Sequence, residues 1–176
     1  MVTITQQERD YVIWQNRAVR FYAAARLCYL NGLYAPAAYC AAITLELLMK
    51  ATLIYHHKSF SPKEAGHALA ALGRTIRNRV PSLRSFALPH YFVHEKRYLE
   101  VARYPRDGAG VYLPASFLHD LDDAFLKLLR ATPFQHNTEL KRILRDERSS
   151  EGKAITRSNR EARSIRSFLQ VAWRRA

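Results

Sequence analysis

The chain has 176 residues, 48% of them hydrophobic and 24% charged, which is enough for one globular domain with an appendage. Twenty-eight Lys and Arg oppose 15 Asp and Glu, so the formal net charge is +13. Such a charge attracts polyanions, most often nucleic acid, although a charge that serves only solubility has the same composition. The two cysteines lie in apolar helical contexts, which excludes a disulfide scaffold and favours a reducing compartment.

The positive charge is concentrated in two regions. Residues 74–106 contain eight Lys or Arg against two acids, and residues 139–176 contain eleven against five. Two basic regions separated by a more neutral helix are typical of binding surfaces rather than of a uniform bias.

Residues 27–45 carry no charge and have the composition of a membrane span. Asn31-Gly32 and Pro36 interrupt this stretch, so it is predicted to be a turn between two helices, with no transmembrane segment. The first residues lack the basic and then apolar pattern of a signal peptide. We therefore expect a cytoplasmic protein.

Helical periodicity covers the chain and strand-like alternation is missing, so the sequence predicts an all-α fold. The predicted helices are bounded by capping boxes, Gly and Pro: the first from Thr5 to Asn31-Gly32, the second from Pro36, the third from the Ser61–Glu64 capping box to Val80-Pro81, the fourth from Pro89 to about Tyr104, and the fifth from Pro114-Ala115-Ser116. Short connections between long helices predict an up-and-down bundle of four or five helices over residues 1–133.

Beyond Pro133 the chain becomes more basic and more polar. We predict a C-terminal extension over residues 134–176, with a short charged helix near 138–148 and a flexible linker near 149–157. A last amphipathic helix should follow a cap at Ser158–Glu161, with an apolar stripe at Ile165, Phe168, Leu169, Ala172 and Trp173.

A spaced set of polar residues interrupts the apolar helices. Glu46 and Lys50 lie four residues apart, in the order that favours an ion pair, and either form a structural pair or line a groove. His67 follows Gly66 near the start of the third helix, where it either caps the helix or contacts a ligand. Arg97-Tyr98 and Arg103-Tyr104 combine phosphate-binding guanidinium groups with rings that stack on bases, although Arg–Glu pairing explains the arginines equally well.

Other groups of reactive residues give weaker evidence for a functional site. His90 and His94 have the spacing of a zinc pair, but no third or fourth ligand joins them, so no metal or cofactor is expected. Asp120, Asp122 and Asp123 predict a solvated acidic face. No phosphate-binding Gly-rich loop or nucleophile motif is present, so no catalytic residue is assigned.

The order and spacing of Glu46-x-x-x-Lys50, Gly66-His67-Ala68-Leu69, Arg97-Tyr98 and Arg103-Tyr104-Pro105 resemble the HEPN family over about residues 6–131. The resemblance implies a small helical bundle, frequent homodimers, and nucleotide or RNA as ligand. A neighbouring gene for a nucleotidyltransferase-like protein would favour a toxin–antitoxin role, so such a protein is a candidate partner. On this basis the nucleotide- or RNA-binding residues are expected to be Lys50, His67, Arg97, Tyr98, Arg103 and Tyr104.

Many HEPN proteins are ribonucleases with an Arg followed four to six residues later by a His. Arg84–His90 and Arg130–His136 have this spacing, but each pair spans a proline that breaks the helix. The leading hypothesis is therefore a non-catalytic module that binds phosphate in a basic polar groove. A metal-independent Arg–His ribonuclease, and an interaction protein that docks through its basic C-terminal helix, are the alternatives.

Overall fold

The computed structural model describes residues 6–57, 59–93, 112–132, 138–146, 148–165 and 167. Over these residues the chain forms α-helices and one 3-10 helix, without a β-strand, which confirms the predicted all-α class. The helices are α1 (Gln6–Leu30), α2 (Tyr34–His56), α3 (Leu69–Arg79), the 3-10 helix Pro81–Leu83, α4 (His90–Val93), α5 (Phe117–Arg130), α6 (Thr138–Arg145) and α7 (Ser150–Thr156).

Helices α1 and α2 form an antiparallel hairpin, and their turn lies where the sequence predicts it. Gly32 adopts a left-handed conformation with φ of +76°. Its N–H donates to the Tyr29 carbonyl at 3.0 Å, and the Leu33 N–H donates to the Cys28 carbonyl at 2.8 Å. These bonds satisfy carbonyls that the end of α1 would otherwise leave unpaired. The interrupted stretch 27–45 is thus a helix end, a turn and a helix start, as expected.

The hydrophobic core lies between the hairpin, α3 and α5. Helix α2 approaches α1 closely through small side chains, because Ala37, Ala38, Ala41 and Ala42 are all buried. Helix α5 contributes the buried rings of Phe117 and Phe125, and the Phe125 ring stacks on the Tyr22 ring of α1 with centroids 3.8 Å apart. The predicted inward stripe of α5 is confirmed, since the following residues are all buried: Leu118, Leu121, Phe125, Leu128 and Leu129.

Helix α2 is the one helix, among the residues described, that is long and apolar enough to cross a membrane. In the bundle, however, 78% of its most apolar window is buried inside the protein. Its hydrophobic residues, such as Leu45, Leu48 and Leu53, are used in the core.

Cys28 and Cys40 are free thiols, half-buried against the core. Burial raises the pKa of both thiols, and the negative charge of a neighbouring Cys28 thiolate would raise that of Cys40 further. Both cysteines therefore behave as small apolar residues, as predicted.

Helix α3 begins at Leu69, eight residues after the predicted start at Ser61. The Ser61 hydroxyl does accept a hydrogen bond from the Glu64 N–H, at 3.4 Å, but residues 62–65 form only turns. Gly66 then adopts a φ of +65°, which interrupts any right-handed helix. Leu69 is the first residue after this break to enter the core, and the helix forms from there.

Residues 150–156 of the predicted linker form helix α7 instead. The Ser149 hydroxyl accepts a hydrogen bond from the Gly152 N–H at 3.0 Å and caps the helix. Gly152, Ala154 and Ile155 are buried, so burial of apolar surface stabilises a segment whose composition alone indicates flexibility. The division of the chain into two domains at residue 133 stays a prediction.

Part of the predicted last helix is described. The Asn159 carboxamide oxygen accepts a hydrogen bond from the Glu161 N–H at 2.9 Å, close to the predicted cap, and residues 162–165 are helical. Ile165 of the predicted stripe is 1% exposed and joins the main core. The other stripe residues, Phe168, Leu169, Ala172 and Trp173, lie outside the described residues.

Candidate functional site

Glu46 and Lys50 form the ion pair that their spacing predicts. The Lys50 ammonium lies 2.8 Å from Glu46 Oε1, and the lysine is only 2% exposed. The same ammonium lies 5.4 Å from the centre of the Trp14 ring of α1, within the range of a cation–π contact. A carboxylate and an aromatic ring thus compensate the buried positive charge, and the ion pair fixes the Glu46 carboxylate in place.

His67 completes this cluster from the loop before α3. Its Nδ1 lies 2.9 Å from Glu46 Oε1, the same oxygen that accepts from Lys50. Because a carboxylate only accepts, Nδ1 must carry the hydrogen, and Nε2 is left on the opposite side of the ring. The His67 side chain is 86% exposed. Glu46, Lys50 and His67 are therefore brought together, with the imidazole as the part that reaches solvent.

The other four predicted site residues follow α4 in the sequence. Arg97, Tyr98, Arg103 and Tyr104 lie outside the described residues.

The surface of α3 and the loop after it is strongly basic. Residues 65–94 contain four arginines and no Asp or Glu. Arg74, Arg79 and Arg84 are exposed, and none of them forms an ion pair with another described residue. Arg77 is half-buried and donates to the Phe86 carbonyl at 3.3 Å, which holds the end of α3 against the following loop. Among the described residues, this surface therefore carries exposed positive charge without a paired carboxylate.

The Arg84–His90 pair does not lie on one helix. Arg84 follows the 3-10 helix that ends at Leu83, residues 84–89 are not helical, and His90 begins α4. Of the second pair, Arg130 is the last residue of α5 and is exposed, while His136 lies outside the described residues.

A second polar cluster, which the sequence analysis missed, is sealed inside the bundle. Arg26 of α1 is 0% exposed, and its guanidinium forms a salt bridge through Nη1 with both oxygens of Asp122 of α5. The Tyr22 hydroxyl donates to the same carboxylate at 2.6 Å. Burial, followed by the negative charge of Asp122, raises the pKa of Tyr22 well above its ordinary value, so the phenol stays protonated and able to donate. We call these three residues the buried network.

The buried network also holds the C-terminal segment. Arg26 Nε donates to the Ala154 carbonyl at 2.6 Å, and Nη2 donates to the Arg157 carbonyl at 2.5 Å. The Asn159 side chain donates to the Tyr22 hydroxyl at 2.9 Å. One guanidinium group thus joins α1, α5 and the end of α7.

The predicted solvated acidic face of α5 is therefore only partly correct. Asp123 is half-exposed and pairs with Lys127 at 2.7 Å, as expected. Asp122 is 1% exposed and belongs to the core, because it lies on the same inward stripe as Leu118 and Phe125. Among the described residues, no group of three or more His, Cys, Asp or Glu is placed to hold a metal ion.

Comparison with known proteins supplies the family. A family model described as HEPN domain matches residues 11–110, which include most of α1, all of α2 and α3, and the exposed arginines Arg74, Arg79 and Arg84. Neither the curated proteins nor the solved structures gave a significant match.

Proposed function

Because the chain belongs to the HEPN-domain family, we propose that it binds a nucleotide or RNA phosphate through its basic surface, without cleaving it. The observation that supports this most strongly is the charge of Arg74, Arg79 and Arg84, which are exposed, form no ion pair with another described residue and lie in a stretch that contains no carboxylate. Planar guanidinium groups bind phosphate oxygens through paired hydrogen bonds, and release of counterions from RNA drives the association. We call these three residues the α3 arginines.

His67 is the part of the Glu46 cluster that would contact the ligand. Glu46 accepts the Nδ1 hydrogen and so sets the orientation of the ring. A protonated ring can then donate from Nε2 to a phosphate oxygen, and a neutral ring can accept there from an amino group on a base edge. Lys50 acts indirectly in this proposal, because it is buried and its ammonium is bound to Glu46. It holds the carboxylate that orients the histidine.

Arg97, Tyr98, Arg103 and Tyr104 extend the proposed surface. They follow the α3 arginines in the same basic region, 74–106, and their residue types suit phosphate binding and base stacking. The ligand would then be held by charge from α3 and by aromatic stacking from the segment that follows α4.

The absence of cleavage is proposed from the Arg84–His90 geometry. A ribonuclease of this kind needs an arginine and a general acid–base histidine close to one scissile phosphate. Residues 84–89 form no helix that would set Arg84 and His90 on a common face.

We also propose a cytoplasmic location, a homodimer, and a nucleotidyltransferase-like partner in a toxin–antitoxin arrangement. Light scattering after gel filtration tests the dimer, and co-purification with the product of a neighbouring gene tests the partner.

Fluorescence anisotropy with a labelled single-stranded RNA of mixed sequence tests the proposed binding. The triple variant Arg74→Gln, Arg79→Gln and Arg84→Gln should weaken binding and reduce the slope of log affinity against log salt by about 2, since each lost phosphate contact removes about 0.7. Arg97→Ala with Arg103→Ala should have a similar effect. A control variant with equal charge loss, Arg17→Gln, Lys127→Gln and Arg130→Gln, also changes only exposed residues and should keep most of the affinity.

Equal losses in the α3 variant and in the control variant would overturn this proposal, because they would reduce it to a net-charge effect. Incubation of the same RNA with purified protein tests the absence of cleavage. Cleavage that His90→Ala or His136→Ala abolishes would establish the ribonuclease instead.

A further inference from the structure

The C-terminal segment carries a second group of exposed cations. Five basic residues between 148 and 163 are exposed, and none of them has an ion pair among the described residues: Arg148, Lys153, Arg157, Arg160 and Arg163. The two acids in this segment provide little compensation. Glu151 is already bound to Arg142 of α6 at 2.7 Å, and Glu161 is half-buried. The charge of this segment is therefore directed to solvent.

The backbone of this segment is fixed through contacts that do not use its cationic side chains. Arg26 binds the carbonyl oxygens of Ala154 and Arg157, and Asn159 binds the Tyr22 hydroxyl. Between them Ser158 adopts a left-handed conformation with φ of +54°, which a non-glycine residue rarely does without support. The cations are thus carried on a rigid turn, so binding need not pay for ordering the backbone.

The apolar side of the same segment faces the bundle. Gly152, Ala154, Ile155 and Ile165 are buried. A helix that binds a membrane surface needs an apolar face directed to the lipid. The described part of the segment has no such face, so its charge complements a hydrophilic polyanion rather than a bilayer.

We propose that residues 148–163 form a second phosphate-binding surface for an RNA strand, separate from the α3 arginines. This inference rests on the proposed function and narrows its ligand from a mononucleotide to an RNA strand. Helix α3 packs on α2, whereas α7 packs on α1. The two surfaces are therefore carried by elements that pack against different helices of the hairpin. A single nucleotide would contact one surface, while a strand can contact both.

The test compares two triple variants of the full chain with a labelled single-stranded RNA of about 30 nucleotides. The C-terminal variant is Arg157→Gln, Arg160→Gln and Arg163→Gln, and the second is the α3 variant. We expect the C-terminal variant to lose at least about tenfold in affinity at about 150 mM salt and to reduce the salt slope by about 2. Its melting temperature should stay unchanged, because Arg26 binds the Arg157 carbonyl and not its side chain. If the triple variant does not fold, Arg148→Gln with Lys153→Gln asks the same question, with an expected slope reduction of about 1.4.

The outcomes separate the inference from the proposed function. Unchanged RNA affinity in a folded C-terminal variant, together with a loss in the α3 variant, would overturn the inference alone. If the C-terminal variant alone loses affinity, the inference stands and the α3 surface falls. If neither variant changes RNA affinity, both proposals fail. A different outcome is that the C-terminal variant loses binding to phosphatidylserine vesicles that the unmodified chain binds, with its RNA affinity unchanged. That result would also overturn the inference, in favour of a membrane-binding surface.

Discussion

Two charged clusters, one on each helix of the α1–α2 hairpin, differ in how completely protein surrounds them. In the buried network Arg26 and Asp122 are both at most 1% exposed, and the Arg26 guanidinium bonds to the Asp122 carboxylate and to the carbonyls of Ala154 and Arg157. In the Glu46 cluster Lys50 is similarly buried, but His67 projects to solvent, and its second ring nitrogen bonds to none of the described residues. A polar cluster that is closed by its own partners stabilises the fold, whereas one that ends in an oriented, exposed group is suited to a ligand.

The family resemblance alone does not make this distinction. Glu46, Lys50 and His67 all belong to the motifs on which the resemblance depends, yet they differ in exposure from 2% for Lys50 to 86% for the His67 side chain. The three residues therefore have different expected roles. Lys50 and Glu46 are expected to orient the His67 ring, and His67 is expected to contact the RNA.

The largest effect is expected for the buried network. Asp122→Ala leaves the Arg26 charge buried without a counterion, so the free energy of unfolding should fall by about 3–5 kcal/mol. Urea denaturation monitored by circular dichroism measures it. The matched control is Asp123→Ala, which removes a half-exposed carboxylate from the same helix and should cost less than about 1 kcal/mol. Similar losses in the two variants would show that the buried network has no special structural role.

A smaller but more selective effect is expected in the Glu46 cluster. Lys50→Met removes a buried hydrogen-bonded charge and should lower the free energy of unfolding by about 2 kcal/mol. His67→Gln changes an exposed side chain and should alter it by less than about 0.5 kcal/mol, while RNA affinity falls severalfold. Urea titration and RNA anisotropy on both variants separate the two roles. If His67→Gln destabilises the protein as much as Lys50→Met, the histidine is structural. The Glu46 cluster and the buried network would then not differ in role.

The smallest effect concerns acid stability, through Glu139 of α6. Hydrogen bonds from Arg142, and then from Arg20, hold the pKa of Glu139 below its ordinary value of 4.5. A carboxylate whose pKa is lower in the folded state contributes stability above its unfolded pKa, and that contribution is lost as the pH falls through the folded pKa. Glu139→Gln should therefore flatten the decline in thermal stability below about pH 4.5. Melting curves between about pH 6 and pH 3 show this, and an unchanged decline would exclude Glu139 as a source of acid sensitivity.

Apolar periodicity, together with the Gly, Pro and capping residues that bound helices, was sufficient to predict much of the fold. The inward stripe of α5 and the Asn31-Gly32 turn follow from side-chain spacing and from the conformational freedom of glycine, both of which are local properties. The start of α3 was predicted wrongly. The Ser61 capping box is a valid local signal for a helix start, but the left-handed conformation of Gly66 interrupts the helix after it. The helix α7 was missed since its stability comes from burial of Ile155 against distant parts of the chain.

The candidate site was predictable only in part. The Glu46–Lys50 pair follows from i, i+4 spacing, but its contact with His67 joins residues 21 positions apart and depends on the tertiary fold. Arg26 and Asp122 did leave a signal, because each lies on the inward stripe of its own helix, beside Tyr22 and Phe125 respectively. Their pairing across 96 positions could not be read from either helix alone.

Mapping the RNA contact itself tests the central claim most directly. The full chain is photo-crosslinked to a single-stranded RNA containing 4-thiouridine, and the modified peptides are identified by mass spectrometry. Adducts are expected in residues 67–104, around His67 and the α3 arginines, and they should become rarer in the Arg74→Gln, Arg79→Gln and Arg84→Gln variant. Adducts that avoid residues 67–104 at saturating RNA, or that persist unchanged in this variant, would contradict the account.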